Sequence, residues 1–265
     1  MSDPPRADWN AAVYNRIGTP MRGWAQQVID DLELRGDETV LDAGCGSGSV
    51  TLDLLQKLPH GKVYAVDSSP DMTANLEKDL GERGITNVVA ITASLTDFTL
   101  PEQVDVVFSN AVFHWVPDDD GLFGTLAHAT KPGGRLRAQC GGAGNIARLT
   151  EATHAVEKRA PYSEYLSGDS EFRKYRSVEE ARAAMERNGW RDVRGSLFEA
   201  PVTFEDEDVA VLYLRTIILQ HQVVALPEEL SDRFLRDVVA ETIERFGSPF
   251  IADYVRLNLW ATRSG

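Results

Sequence analysis

The chain has 265 residues, 43% of them hydrophobic and 26% charged, the make-up of one large globular domain rather than of a disordered polymer. With 41 acidic against 27 basic residues its formal net charge is −14, a field that repels phosphate backbones and anionic lipid and disfavours nucleic acid or a membrane surface as the main partner. No run of 18 apolar residues offers a membrane span, and the two cysteines, Cys45 and Cys140, support neither a disulfide framework nor a structural zinc. The lead Met1 to Arg6 is not followed by an apolar stretch, so no secretory signal is expected and the expected address is a reducing cytoplasm.

The first 35 residues read as helical. Trp9, Val13 and Ile17 share one face, and a second run after Pro20 buries Trp24, Val28, Ile29 and Leu32 before Gly36-Asp37 ends it. Strand and helix signals then alternate. Thr39 to Asp42 is a strand running into a Gly-rich turn, Val50 to Leu58 a helix, and Lys62 to Val66 a strand ending at Asp67. Pro70 suits the first position of a helix that runs to about Arg83, with Gly84 as its C-terminal cap. Val88 to Thr92 and Val104 to Phe108 are strands, and Leu122 to Thr130 is a helix. Lys131-Pro132-Gly133-Gly134 turns into a fifth strand, Arg135 to Cys140.

After Cys140 the rhythm changes. Residues 145 to 188 read as helices, one of them opened by a capping box, Ser177 with Glu180, and closed at Gly189. Val193 to Phe204 is strand-like, Asp206 to His221 and Glu228 to Phe246 are helices, and Tyr254 to Thr262 is a last strand. The acidic runs Asp118-Asp119-Asp120 and Glu205 to Asp208 read as solvated surface and helix-start charge.

This alternation predicts an α/β protein with a doubly wound, mostly parallel sheet, whose ligand binds beyond the carboxyl ends of the strands. Four stretches are expected in one continuous domain. Residues 1–36 are N-terminal helices contributing to a cap, and 37–141 the cofactor-binding core. Residues 142–190 form a helical insert, and 191–265 the last two strands with inserted cap helices. The cap is expected over the ligand edge.

Asp42-Ala43-Gly44-Cys45-Gly46-Ser47-Gly48 lies between a strand and a helix, and each glycine lets backbone approach a ligand. Asp67 follows 19 residues after Gly48 (67 − 48), at the end of the next strand, where a carboxylate can accept from both hydroxyls of a ribose. A dinucleotide wants G-x-G-x-x-G, and here the third glycine falls one position early. S-adenosylmethionine carries no phosphate; its ammonium and sulfonium favour carboxylate and carbonyl oxygen, and Asp42 is placed for direct or water-bridged contact with the ammonium. A purely structural Gly turn is the remaining alternative.

At these motifs the sequence resembles the class I S-adenosylmethionine-dependent methyltransferases. The matching stretches are Val40 through Gly48, Val63 through Met72, Val104 through Trp115 and Lys131 through Gly134. Phe108 to Val116 and Gly141 to Ile146 are similar to the corresponding stretches of the trans-aconitate methyltransferase group. The resemblance implies a seven-stranded Rossmann-like methyltransferase fold with an α-helical cap and a small-molecule acceptor. That acceptor is a carboxylic acid or, in related enzymes, a hydroxyl, amine or carbon centre. It implies S-adenosylmethionine as cofactor, S-adenosylhomocysteine as product and no metal. The implied cofactor contacts are Asp42, Gly44, Cys45, Gly46, Gly48, Asp67, Ser68, Met72, Ala93, Ser94 and Asn110. Many relatives end the third strand in an acid that receives the adenine amino group. Here Thr92-Ala93-Ser94-Leu95 has none, leaving Ser94, the Ala93 backbone or Asp97 to serve.

Methyl transfer from a sulfonium is an in-line displacement, so the protein mainly aligns the acceptor and excludes water. His114, just past the fourth strand, is the candidate catalytic residue, to orient the acceptor or take a proton. Its bland alternative is a hydrogen bond within the loop. Asn110 would hold the methionine portion through its carbonyl. Tyr14, His114, Trp115 and His221 are candidate acceptor contacts, although Trp115 more often packs and His221 more often ends a helix. Cys140 reads as a small buried residue and Cys45 as spacing. A polycarboxylate acceptor would need converging cations, and Arg148, Arg159, Arg173, Lys174, Arg176 and Arg215 are available in the second half. A scaffold protein that keeps the fold without catalysis, and a nicotinamide oxidoreductase, are the readings from other classes.

Overall fold

β1 (Thr39–Ala43), β2 (Lys62–Asp67) and β4 (Val104–Asn110) are short and almost wholly buried, and their sequences are nearly continuous apolar runs. That is the composition of parallel strands covered on both faces. β3 (Val88–Thr92) is less buried, as an edge strand is. In the computed structural model, which describes residues 23–166 and 173–265, these strands form a seven-stranded sheet in the order β3-β2-β1-β4-β5-β9-β6. β5 is Thr130–Gly141, β6 Trp190–Glu199 and β9 Val255–Arg263. The first five strands pair in parallel, while β9 runs antiparallel between β5 and β6. Strand order reverses at β1, so a crevice opens between the carboxyl ends of β1 and β4.

Alternation along the strands sorts side chains into two cores. Val40, Val63, Ala65, Val106 and Phe108 meet α1 (residues 23–30), α2 (Ser49–Gln56) and α3 (Pro70–Arg83) through Val28, Ile29, Leu54, Leu76 and Leu80. Leu41, Tyr64, Val66, Val107, Leu136 and Leu257 face α4 (Asp119–Ala129) and α6 (Val178–Arg187) through Leu122, Phe123, Leu126, Ala184 and Met185. Each helix start has a chemical cause. Ser69 accepts from the Met72 N–H with Pro70 behind it, and Asp118 accepts from the Gly121 N–H. Ser177 and Glu180 form the reciprocal capping box. The run Asp118-Asp119-Asp120 is thus a helix cap plus first-turn charge.

A second unit comprises, among the described residues, 146–166 and 200–254. It holds α5 (Ala147–Glu157), α7 (Glu207–Tyr213), α8 (Gln220–Ala225), α9 (Glu228–Phe246) and a two-stranded ribbon of β7 (Val202–Phe204) and β8 (Phe250–Ala252). α5 packs along α9, and Phe204, Tyr213 and Phe250 form an aromatic cluster. Asp206 caps α7 by accepting from the amides of Asp208 and Val209.

The structure corrects several expectations. α1 does not belong to the helical unit: Val28, Ile29 and Leu32 are buried on the sheet beside Val40. Trp9, Val13, Ile17 and Tyr14 lie outside the described residues. The expected insert 142–190 is divided, α5 lying in the helical unit and α6 on the sheet. Val193 to Phe204 is two strands, because Pro201 brings no N–H to a ladder. Asp206 to His221 is interrupted by a π-helical turn, Leu214–Ile218. β5 begins at Thr130 rather than Arg135, since Thr130 pairs with Val104 before a register shift absorbs the Gly133 turn.

Candidate cofactor and acceptor site

β1 delivers the chain into a loop whose three glycines all take left-handed φ values, +86° at Gly44, +53° at Gly46 and +89° at Gly48. A Cβ on Gly44 would stand 2.3 Å from Val112, and one on Gly48 would stand 2.3 Å from Leu76. On Gly46 it would meet nothing within 4 Å among the described residues. Two of these glycines therefore serve close packing, and the middle one leaves open space above its backbone. The amides of Gly44 and Cys45 donate to Val66 O at 2.8 and 3.1 Å, tying the loop to the end of β2.

Asp67 closes this arrangement. Its Oδ2 accepts from the Gly46 N–H and its Oδ1 from the Ser69 N–H, each at 2.9 Å. One carboxylate thus braces both the loop and the start of α3, and each oxygen keeps a lone pair. Asp42 lies beneath the loop, only 1% exposed, with Oδ2 accepting from the Thr51 hydroxyl at 2.7 Å. Burial pushes its pKa up to about 7, the Thr51 bond opposing this and the Asp67 charge adding to it.

At the neighbouring strand ends, the Ala93 N–H donates to Asp67 O at 2.9 Å. The exposed Ser94 hydroxyl pairs with Thr96 at 2.8 Å, and Ser68 and Met72 are exposed at the start of α3. Ser109 ties β4 to β1 by donating to Ala43 O at 2.7 Å. Asn110, the last residue of β4, carries a buried Oδ1 with no hydrogen-bond partner among the described residues. Such an orphaned acceptor is costly and uncommon in a folded protein. Burial raises both thiols: Cys140 reaches about 11, and Cys45 is raised further. Neither is a nucleophile.

His114 sits in a 3-10 turn, Phe113–Trp115, directly after β4 and is 7% exposed. The Gly141 N–H donates to its Nδ1 at 3.3 Å, and its ring stacks on Tyr175 at 5.7 Å. Burial pushes its pKa down to about 3, helped by the charges of Arg256, Arg173 and Arg176. The imidazole is therefore neutral, with Nδ1 engaged and the proton assigned to Nε2. Of the two expected roles, orienting the acceptor or taking a proton, a neutral ring with Nδ1 engaged favours the first. Trp115 is partly exposed beside it, under Arg173 at 5.2 Å.

The carboxyl edge therefore gathers Asp42, Gly44, Cys45, Gly46, Gly48, Asp67, Ser68, Met72, Ala93, Ser94, Asn110, His114 and Trp115 on one unit. His221 is exposed on α8 of the helical unit, and Tyr14 lies outside the described residues. Arg176 is consumed structurally, bonding Asp119 and the carbonyls of Phe113 and Val116. Two residues at this edge escaped the sequence reading: Gln139, late in β5, and Arg256, second in β9. The signal was available, because Arg256 and Asn258 alternate with Leu257 and Leu259 within an apolar strand. Among the described residues no cluster of three or more His, Cys, Asp or Glu is arranged to hold a metal, and no helix is long and apolar enough to cross a membrane.

Residues 40–134 match a protein family described as a methyltransferase domain. Among curated relatives, the chain is 31% identical over 171 residues to trans-aconitate 2-methyltransferase of Rhodopseudomonas palustris (strain BisA53), covering 63% of each chain. It is 32% identical over 166 residues to the enzyme of that name from Mycobacterium tuberculosis, covering 62% of this chain and 60% of that one. The matched regions thus span less than two thirds of these relatives. Among solved structures, the YcgJ protein of Bacillus subtilis superposes with a TM-score of 0.65 at 15% identity, covering 92% of this chain and 99% of that one. A phosphoethanolamine N-methyltransferase of Haemonchus contortus, bound to S-adenosylhomocysteine, gives 0.62 at 15% identity, covering 96% and 56%. At that identity these two speak for the fold alone. Residues 40–134 thus match a methyltransferase-domain family, on a fold shared with the solved structures, in a chain that resembles trans-aconitate 2-methyltransferases over part of their length.

Proposed function

We propose that the chain is an S-adenosylmethionine-dependent methyltransferase that methylates a carboxylate oxygen of a small acid. The observation that carries the cofactor assignment is the orphaned, buried Asn110 Oδ1, at the same strand edge as the open backbone of Gly46 and the Asp67 carboxylate. When bound, S-adenosylmethionine supplies a methyl group already activated on a sulfonium. Asn110 Oδ1 would accept from the ammonium of its methionine portion, and Asp67 would accept from the ribose hydroxyls with its remaining lone pairs. Gly44, Cys45, Gly46 and Gly48 present backbone to it, Ser68 and Met72 border the ribose side, and Ala93 and Ser94 border adenine. Asp42, buried and held by Thr51, braces the loop from below and keeps anionic character near the ammonium.

The acid reading draws on the relatives' names and agrees with His114. A carboxylate acceptor is already ionised at neutral pH and needs no general base, while the Nδ1 of His114 is committed to Gly141. His114 then donates from Nε2 to the acceptor and orients it. A carboxylate oxygen forms the new C–O bond as the C–S bond breaks, and the electron pair goes to sulfur; no proton moves. The −14 charge argues against a nucleic-acid partner, and two free cysteines suit a reducing cytoplasm.

The test is calorimetric titration with S-adenosylmethionine and S-adenosylhomocysteine, with NAD as control, followed by a methylation assay on trans-aconitate and other small acids. Micromolar binding of both sulfur compounds and ester formation are expected. Binding without turnover on any acceptor would favour the scaffold reading. Absence of binding would overturn the cofactor assignment.

A further inference from the structure

The turn that carries His114 is too short to hold itself. Phe113–Trp115 is a single 3-10 turn, and so short a helix draws little stability from its own hydrogen bonds. Residues 173–176, on the same unit, supply what is missing. The Lys174 N–H donates to His114 O at 2.8 Å, and the Lys174 ammonium donates to Pro117 O at 3.2 Å. Arg176, 2% exposed, donates to Phe113 O at 2.8 Å and to Val116 O at 2.6 Å. Both cations also pair with Asp119, at 2.8 and 2.7 Å. The segment is in turn tied to the chain just past β5, where Arg176 O accepts from the Ala143 N–H at 2.9 Å.

This strap brings the half-buried Tyr175 against the imidazole. The two rings stack with centroids 5.7 Å apart and planes 29° from parallel. The same tyrosine lies against β5, because a Cβ on Gly141 would stand 2.7 Å from its ring. Gly141 therefore has two uses. Its N–H donates to His114 Nδ1 at 3.3 Å, and its missing side chain lets the tyrosine approach. A bond through Nδ1 alone lets an imidazole rock about that bond, whereas an aromatic face laid on the ring fixes its plane and so the direction of Nε2–H. The charged groups that face His114 are Arg173 and Arg176 of the strap and Arg256 of β9, and the thiol of Cys140 in β5 meets its backbone.

We propose that Tyr175 is a positioning residue for methyl transfer, fixing the plane of His114 and covering its ring from water so that Nε2–H is aimed at the acceptor. The inference rests on the methyltransferase reading above and on the orienting role of His114. Tyr175 needs no contact with the acceptor for this. An imidazole of fixed plane is a donor of fixed direction, and in-line attack depends on the direction in which the acceptor is held. The cover has a second consequence. Burial is the largest cause of the low pKa of His114, so thinning the cover lets the ring take up a proton nearer neutral pH.

The experiment compares wild type with Tyr175→Leu, Tyr175→Ser, Tyr175→Phe, His114→Gln and the double variant Y175L/H114Q. Each is titrated with S-adenosylhomocysteine and assayed for methylation of trans-aconitate. The histidine ring protons are followed by NMR between about pH 4 and 8, the His114 signal being the one absent from H114Q. S-adenosylhomocysteine affinity is expected to stay within about twofold of wild type throughout. Y175L and Y175S lower kcat/KM for the acid about tenfold or more, and Y175F, which keeps the ring, loses less. In Y175S the His114 midpoint rises from about 3 to above about 5. In the H114Q background Y175L costs less than about twofold, because the two residues act as one unit. Wild-type kcat/KM in Y175L, an unmoved His114 midpoint in Y175S, or a Y175L loss that adds in full to that of H114Q overturns the assignment. If either Y175L or Y175S does not fold, the other decides. Failure of wild type to bind S-adenosylhomocysteine refutes the cofactor reading, on which this one stands. Wild type that binds it but methylates no acid overturns both the acid reading and this one.

Discussion

Gly44→Ala and Gly46→Ala separate what the loop does for the fold from what it does for a ligand. Both positions have positive φ, so a Cβ costs about 1 kcal/mol of backbone strain at either. At Gly46 the added methyl meets nothing within 4 Å among the described residues, so the cost stops there. At Gly44 three Val112 atoms would stand at 2.3, 2.5 and 2.8 Å. A β-branched side chain stiff at χ1 cannot swing aside, and overpacking adds about 1–3 kcal/mol. With about 2–4 °C per kcal/mol for a chain of this size, G46A should lower Tm by about 2–4 °C and G44A by about 4–16 °C. S-adenosylhomocysteine affinity should reverse the order of concern. G46A, nearly native in stability, should lose about tenfold or more, because its methyl enters the volume left for the cofactor. Thermal melts and calorimetry on the three proteins supply the comparison. If G46A binds the ligand like wild type, the loop does not cradle it; if G46A melts as low as G44A, the packing argument is wrong.

Three further outcomes follow from the site. Asn110→Ala removes a buried carbonyl without a partner among the described residues. It should leave apo stability unchanged or raise it by up to about 1 kcal/mol while weakening S-adenosylmethionine binding about tenfold or more; denaturant melts and calorimetry check both, and a destabilised apo protein contradicts the orphan assignment. Asp42, raised from 3.8 to about 7, gives stability that is complete below the unfolded value and is lost as pH rises through 7. Asp42→Asn should therefore flatten the fall in stability between about pH 4 and 7, and an unaltered slope in urea midpoints would refute the raised value. His114, lowered to about 3, stays neutral across the assay range. The kcat/KM profile between about pH 5 and 8 should contain no inflection that His114→Gln abolishes.

Much of the sheet was legible because its signals are local. The run Val63-Tyr64-Ala65-Val66, Pro70 after Ser69 and the box Ser177/Glu180 each state a strand or a helix start within a few residues. The glycine loop was legible for the same reason, since positive φ at Gly44, Gly46 and Gly48 is a demand on single residues. The errors fell where neighbours outside the window decide. The local pattern places α1 in a cap, yet its apolar stripe meets Val40 on the sheet. Val193 to Phe204 read as one strand, although pairing with β9 ends at Glu199 and the rest joins β8.

The site divides along the same line. By itself the sequence determined the loop, Asp67 at the end of β2 and Asn110 at the end of β4, because a parallel strand–helix alternation sends every such terminus to one edge. Tertiary structure alone decided what those groups are chemically. Burial, not residue type, raises Asp42 to about 7 and lowers His114 to about 3, and the bond from Gly141 decides which imidazole nitrogen keeps the proton. Arg256 comes to the edge only because β9 returns antiparallel beside β5, joining residues 117 apart in the chain. Strand register is set by long-range packing, and no local pattern encodes which residue will stand opposite Gly141.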